Sequence, residues 1–249
     1  MLRLALPTLA LLFTAQCLAA PLPTDPKVWY RDPLQWASSP DGVWRITGNA
    51  NSLNVCEQIP VCTQAEISAT VSANTANPEG WSVAGVALAA DTRNFWHLAL
   101  VAAPEKAGGK RYFELCEMLD GTWLSQNSLK VVLFEEPGVW EPDVPVRLRL
   151  KLDPTGIEGT AKKLDGTLLY RRRFAFSAAA VTTGRPALRA GGFNAVYRDL
   201  QGAWRDPVPQ GKDTKEEFPP YTVKSSVPGL QGQATGFFRV EQRDGKWWA

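Results

Sequence analysis

The chain has 249 residues, with 27 Lys+Arg against 25 Asp+Glu and a single His, a formal charge of +2. So even a balance leaves no surface dominated by one sign, which argues against a nucleic-acid-binding domain and against a polybasic membrane segment. Hydrophobic content of 45% with 21% charged residues is that of a globular chain long enough to bury a sizeable core. Ten Trp require a structural or functional explanation, while one His and two Met leave little material for a His-based metal site or a Met-rich groove.

Residues 1–20 read as a secretory signal peptide. Arg3 is the basic end, LALPTLALLF is an apolar stretch interrupted by Pro7, and Ala19 and Ala20 offer a small-residue cleavage site. The run is short for a membrane span and no basic stop follows it, so the expectation is a secreted or periplasmic protein with no membrane attachment after cleavage. Cys17 invites a lipoprotein reading, but Gln16 is a poor residue before a lipidated Cys. Cleavage leaves Cys56, Cys62 and Cys116, and export permits a disulfide. One bridge can form in three ways; Cys56–Cys62, around the short loop with Pro60, is favoured, and Cys116 is expected as a buried thiol. None of the three has zinc-ligand spacing, so no metal is expected.

After a Pro-rich entry at Pro21, Pro23 and Pro26, the pattern is alternation. VRLRLKL at 146–152 is its clearest instance, with Val146, Leu148, Leu150 and Leu152 on one side and Arg147, Arg149 and Lys151 on the other. That is the period of a half-buried antiparallel strand. In chain order, similar runs are 43–47, 65–71, 81–90, 95–101, 111–118, 130–134 and 192–200. Asp-Gly pairs at 41–42, 120–121, 165–166 and 244–245 supply turns in which both residues tolerate positive φ. Many short strands at near-regular spacing predict an all-β sandwich or barrel over 21–204. Trp29, Trp36 and Trp44 are expected to pack the N-terminal segment down, and Arg171, Arg172 and Arg173 to form a solvated strand end.

Residues 205–230 hold five Pro with mixed charge and no periodicity, a stiff linker by composition. ATGFFRVEQRDGKWWA then reads as a hairpin over 231–249 with no sheet to bury Phe237, Phe238, Trp247 and Trp248. The expectation is that a further domain follows, with a tail folded back on the sandwich as the alternative.

The strings GVALAADTRNFWHLALV, YFELCEMLDGTWL and GFNAVYRDL resemble those of concanavalin A-like (laminin-G-like) β-sandwiches, an antiparallel two-sheet jelly roll. ATGFFRVEQRDGKWW is similar to the entry hairpin of agarase-like β-glycosidases, where it leads into a (β/α)-barrel. Together these resemblances imply an accessory, carbohydrate-binding module of an exported polysaccharide-degrading glycoside hydrolase. The family's catalytic carboxylates would lie in the barrel, beyond Ala249, so no residue here inherits them.

In FWHLALV, Trp96, Leu98 and Leu100 suit the core, which turns Phe95 and His97 outward onto what the resemblance makes a concave sheet. In YFELCEM, Phe113 and Leu115 are then core, while Tyr112, Glu114 and Cys116 face out. A sugar needs a flat apolar platform and a few planar polar groups. Phe95, Tyr112 and Trp123 are candidates for the first; His97, Arg111, Glu114 and Gln126 for the second. His97 also reads as a hydrogen-bonded structural residue, and Trp81 as either core edge or rim.

Three functions remain open at this stage. One is the binding module, with polysaccharide and the absent catalytic domain as partners. Another is a sandwich hydrolase or lyase using His97 and Glu114. The third is a structural domain that packs on the barrel. Glu114 and Glu117 fall on opposite faces of a regular strand, against the paired carboxylates a glycosidase needs. No cofactor is expected; a structural calcium ion is left open without a motif to support it.

Overall fold

Alternation becomes strand throughout the computed structural model, which describes residues 19–30, 36–46, 52–74, 77, 79–124, 132–136, 138–209, 241–243 and 246–248. The first strands are β1 (Ala20–Pro21), β2 (Trp29–Tyr30), β3 (Trp36–Ser38), β4 (Trp44–Ile46), β5 (Ser52–Cys56) and β6 (Cys62–Ala73). Next come β7 (Ser82–Ala89), β8 (Phe95–Ala102), β9 (Arg111–Leu119), β10 (Thr122–Leu124), β11 (Val132–Glu136) and β12 (Val146–Asp153). Then follow β13 (Gly156–Lys163), β14 (Leu168–Ala175), β15 (Arg185–Gly191), β16 (Ala195–Pro207), β17 (Glu241–Arg243) and β18 (Lys246–Trp248). Helical turns among the described residues are limited to the 3-10 segments Pro26–Val28 and Glu105–Ala107. Each of the eight runs overlaps a strand among the described residues and extends past its ends by at most three residues.

Two antiparallel sheets result. The larger has the order β11-β14-β13-β12-β6-β16-β4-β3, with β1 paired to β16; the smaller has the order β10-β9-β8-β7-β15-β5-β2. Their facing sides share one core, in which Ile67, Val71, Leu148 and Leu150 of the first meet Leu88, Leu98, Leu115 and Leu188 of the second. The protein is thus an all-β, two-sheet antiparallel sandwich. The chain divides into two compact units, 1–208 and 209–249. In the second, β17 and β18 pair as an antiparallel hairpin, Glu241 opposite Trp248.

The tryptophans account for much of the interior. Trp44 is fully buried and lies 5.2 Å from Trp29, while Trp36 packs 5.4 Å from Tyr197. Its indole N–H donates to Ser52 Oγ at 2.7 Å, so these rings tie the N-terminal segment to the sandwich as expected.

Three expectations are corrected. Cys56 and Cys62 are not joined: Cys56 ends β5 in the smaller sheet, Cys62 starts β6 in the larger, and the Pro60 loop crosses between them. Cys62 Sγ instead donates to Pro60 O at 3.4 Å, and burial pushes the Cys56 thiol up to about 11. Arg171–Arg173 are no strand end but the middle of β14. Arg172 points inward, 8% exposed, over the rings of Tyr170 and Phe174, while Arg171 and Arg173 pair with Glu158 and Asp153. Glycine at 159, the register partner of Arg172, leaves room on that face. Finally, β16 continues to Pro207, paired with Cys62, so the sheet takes the first residues assigned to the linker. The rest of the linker from 210, the leader to residue 18, Phe237, Phe238 and the Asp244-Gly245 turn lie outside the described residues.

Candidate functional site

Strand β8 lies between β7 and β9 in the smaller sheet, and its alternation sorts the site from the core. Trp96, Leu98 and Leu100 enter the core with Phe113 and Leu115 of β9. Phe95, His97, Ala99 and Val101 therefore face outward, away from the larger sheet. The register sets His97 opposite Cys116 and Ala99 opposite Glu114. Across that diagonal His97 Nε2 and Glu114 Oε1 are 3.0 Å apart.

The turn after β9 brings the third partner. Asp120 (φ 51) and Gly121 (φ 78) occupy the left-handed region, a two-residue hairpin turn between Leu119 and Thr122. Arg93 and Asn94 pin this turn: Arg93 Nη2 donates to Asp120 O at 2.8 Å, and Asp120 N–H donates to Asn94 Oδ1 at 2.8 Å. Trp123 then folds over the face. Its ring lies 4.9 Å from the His97 ring and meets Phe95 edge-on at 5.5 Å. Trp123 is 42% exposed, whereas Phe95 and His97 beneath it are buried.

Elsewhere the face is lined by small residues, Ala87, Ala89 and Ala187 packing with Phe95 and Val55. A hollow of about 300 Å³ adjoins it, lined by Val55, Glu57, Asp91, Thr92 and Arg185. Toward the other end Tyr112 meets Trp81 edge-on at 6.4 Å, and Trp81 is 54% exposed, a rim residue. Burial, with Glu114 nearby, pushes the Tyr112 hydroxyl up to about 12. The same two causes raise the Cys116 thiol to about 12, and its Sγ donates to Leu124 O at 3.0 Å.

The structure therefore brings together Phe95, His97, Glu114 and Trp123, with Tyr112 on the same face near Glu114 but paired to Trp81. Arg111 is not with them: it has the parity of Phe113, and its guanidinium lies over the Trp140 ring at 5.8 Å. Gln126 lies outside the described residues. Sequence reasoning missed Arg189, a 5% exposed cation 5.7 Å from the Trp123 ring centre. Its Nη1 donates to Ser52 O at 2.9 Å, and burial brings its guanidinium down to about 10. A charge between Leu188 and Ala190 in RPALRAG was the available signal.

Glu117 belongs to the opposite face and to the scaffold. It is buried, and its Oε1 accepts the Val181 N–H at 2.6 Å. Burial raises its carboxyl above the usual range, against the lowering effect of that bond. A carboxyl with a raised folded value holds its proton more tightly folded than unfolded, so stability falls as pH rises from the unfolded value toward the folded one. Glu117→Gln is expected to flatten that loss. In thermal unfolding series from about pH 4 to 7 the wild-type midpoint should drop further than the variant's; parallel curves would refute the assignment.

On the outer side of the larger sheet, a hollow of about 430 Å³ is lined by Glu66, Arg149, Lys151 and Trp204 among others. Arg149 is spent there in a two-pronged 2.6 Å bond to Glu66. No helix among the described residues is long and apolar enough to cross a membrane.

What these features define is a two-sheet β-sandwich with an aromatic-rimmed outer sheet face. Among solved structures, the fold is similar to that of the carbohydrate-binding module CBM66 from Bacillus subtilis. That match has a TM-score of 0.50 and 12% identity over 74% of this chain and 99% of that one. It is also similar to the exoplasmic/lumenal domain of VIP36 in its Ca2+/Man2-bound form, with a TM-score of 0.51 and 10% identity over 76% of this chain and 85% of that one. No family model matches the sequence, and no curated protein matches it significantly.

Proposed function

We propose that the protein binds carbohydrate on the outer face of its smaller sheet. The observation that carries this is the exposed Trp123 ring held over Phe95 and the His97–Glu114 pair. An indole face suits the C–H side of a pyranose, and an imidazole–carboxylate pair both donates to and accepts from hydroxyls. Trp81 and Tyr112 offer a second aromatic contact, and the adjoining hollow brings Glu57, Asp91 and Arg185 to the rim. The fold shared with a carbohydrate-binding module and with a domain seen with bound mannose supports the reading.

The finer reading is an accessory module of an exported glycoside hydrolase that degrades polysaccharide. It rests on the resemblance of 234–248 to an agarase-like entry hairpin and on the leader-like residues 1–20. Such a module acts by tethering: weak capture of the polymer raises its local concentration at a linked catalytic domain. Glu114 and Glu117 stand on opposite faces and do not form a glycosidase pair.

Affinity electrophoresis of the full chain through gels cast with agarose, carrageenan, laminarin, xylan or pectin tests both levels, with reducing-sugar release measured in parallel. Retardation by one polymer without sugar release is expected. Trp123→Ala should weaken it by about tenfold or more, and His97→Ala should weaken it too. Passage through every gel unretarded would overturn the reading in favour of a structural role, and sugar release would make the sandwich an enzyme.

A further inference from the structure

Beside the His97–Glu114 pair the outer face carries a thiol, Cys116, that sugar binding does not need. Glu114 and Cys116 stand two apart on β9, so alternation sends both side chains to the outer face, and His97 is the register partner of Cys116 on β8. One donor atom from each lies within 4.8 Å of the others. We propose that His97, Glu114 and Cys116 form a binding site for a single zinc-class divalent transition-metal ion.

The donor set selects the metal. Imidazole nitrogen and thiolate sulfur with one carboxylate oxygen suit zinc or cobalt, whereas calcium and magnesium favour shells made of oxygen alone. Ligand atoms around one zinc lie about 3–4 Å apart, so loading asks for side-chain shifts of about 1 Å and leaves the paired backbones in place. Charge also matches. Binding sends the Cys116 thiol proton to solvent, and thiolate plus carboxylate then balance the dication. This is the condition under which a buried ion is tolerated.

The imidazole is committed on one side only. Nε2 of His97 faces the Glu114 carboxylate, but Nδ1 is buried without a hydrogen-bond partner in a residue 1% exposed, so one ring nitrogen keeps an unused lone pair. Phe95 and Trp123 pack against the ring and limit water around it. Three protein donors leave a fourth tetrahedral position for water or for a ligand hydroxyl. The spacing escapes a search for Cys-x-x-Cys patterns because on strands the ligands come as i, i+2 and a cross-strand neighbour.

Cobalt titration of the reduced, chelator-treated full chain tests the site without reference to sugar. One equivalent of Co2+ should produce a thiolate-to-cobalt charge-transfer band in the near ultraviolet, abolished by Zn2+ in excess. Cys116→Ala should lose the band and His97→Ala should weaken binding at least about tenfold. Cys56→Ala, which removes another buried thiol, should keep the band, and far-UV circular dichroism checks that each variant is folded. No band in the wild type, or a band that survives in folded Cys116→Ala, would overturn the proposal. Retardation of metal-free protein in the polysaccharide gels would leave the sugar reading standing by itself.

Discussion

Replacing Trp96 by Ala is expected to cost about 3–5 kcal/mol of unfolding free energy, read from urea denaturation. The ring is 1% exposed and stacks on Phe174 at 6.1 Å across the two sheets, so truncation opens a cavity in the centre of the core. A second loss adds to the first. Trp96 Nε1–H donates to Val181 O at 2.9 Å, while Glu117 accepts the N–H of the same residue. Val181 lies between β14 of one sheet and β15 of the other, so two side chains of the smaller sheet clamp both polar groups of the crossover. Trp96→Phe keeps most of the packing and orphans only the carbonyl, a loss of about 1–3 kcal/mol. A Trp96→Ala protein within about 1 kcal/mol of wild type would show that the clamp and the stack do not hold the crossover.

Gly85→Ala is expected to cost about 3 kcal/mol or more, or to prevent folding. A Cβ at this position would lie 2.1 Å from Leu98 O and 2.6 Å from Ala99 Cα. Both obstacles are backbone, so no rotamer change relieves them and β7 would have to move away from β8. The same cross-strand row contains Arg189 and Glu114 at either side, through the pairs Arg189–Gly85, Gly85–Ala99 and Ala99–Glu114. Soluble expression and the urea midpoint are the measurements. An unchanged midpoint would mean that the two strands are not held this closely.

The parity of β8 and β9 was legible because each strand carries large apolar residues on one side only. Trp96 with Leu98, and Phe113 with Leu115, left a single arrangement that buries them, and His97 and Glu114 followed to the same face. Arg111 fails by that same rule, since it shares the parity of Phe113 and not that of Tyr112 and Glu114. Arg189 was hidden by its surroundings, because an Arg in an apolar strand gains a meaning only once the register sets it beside Trp123. The Cys56–Cys62 expectation used separation along the chain, which says nothing of where the two thiols point, and the structure does not join them. The tripod of His97, Glu114 and Cys116 depends on pairing between strands, which no spacing within one segment reports.

The order of strands in the larger sheet also fixes when it can close. β6, near its middle, pairs with β12 on one side and β16 on the other, strands about 80 and 130 residues further along the chain. Neither edge of β6 can be satisfied before residues 146–153 and 195–207 have been made. Contacts this distant are entropically expensive to form and give nothing back until both strands arrive. The larger sheet is therefore assembled late and together, and a chain growing from the ribosome stays open until β16 has emerged.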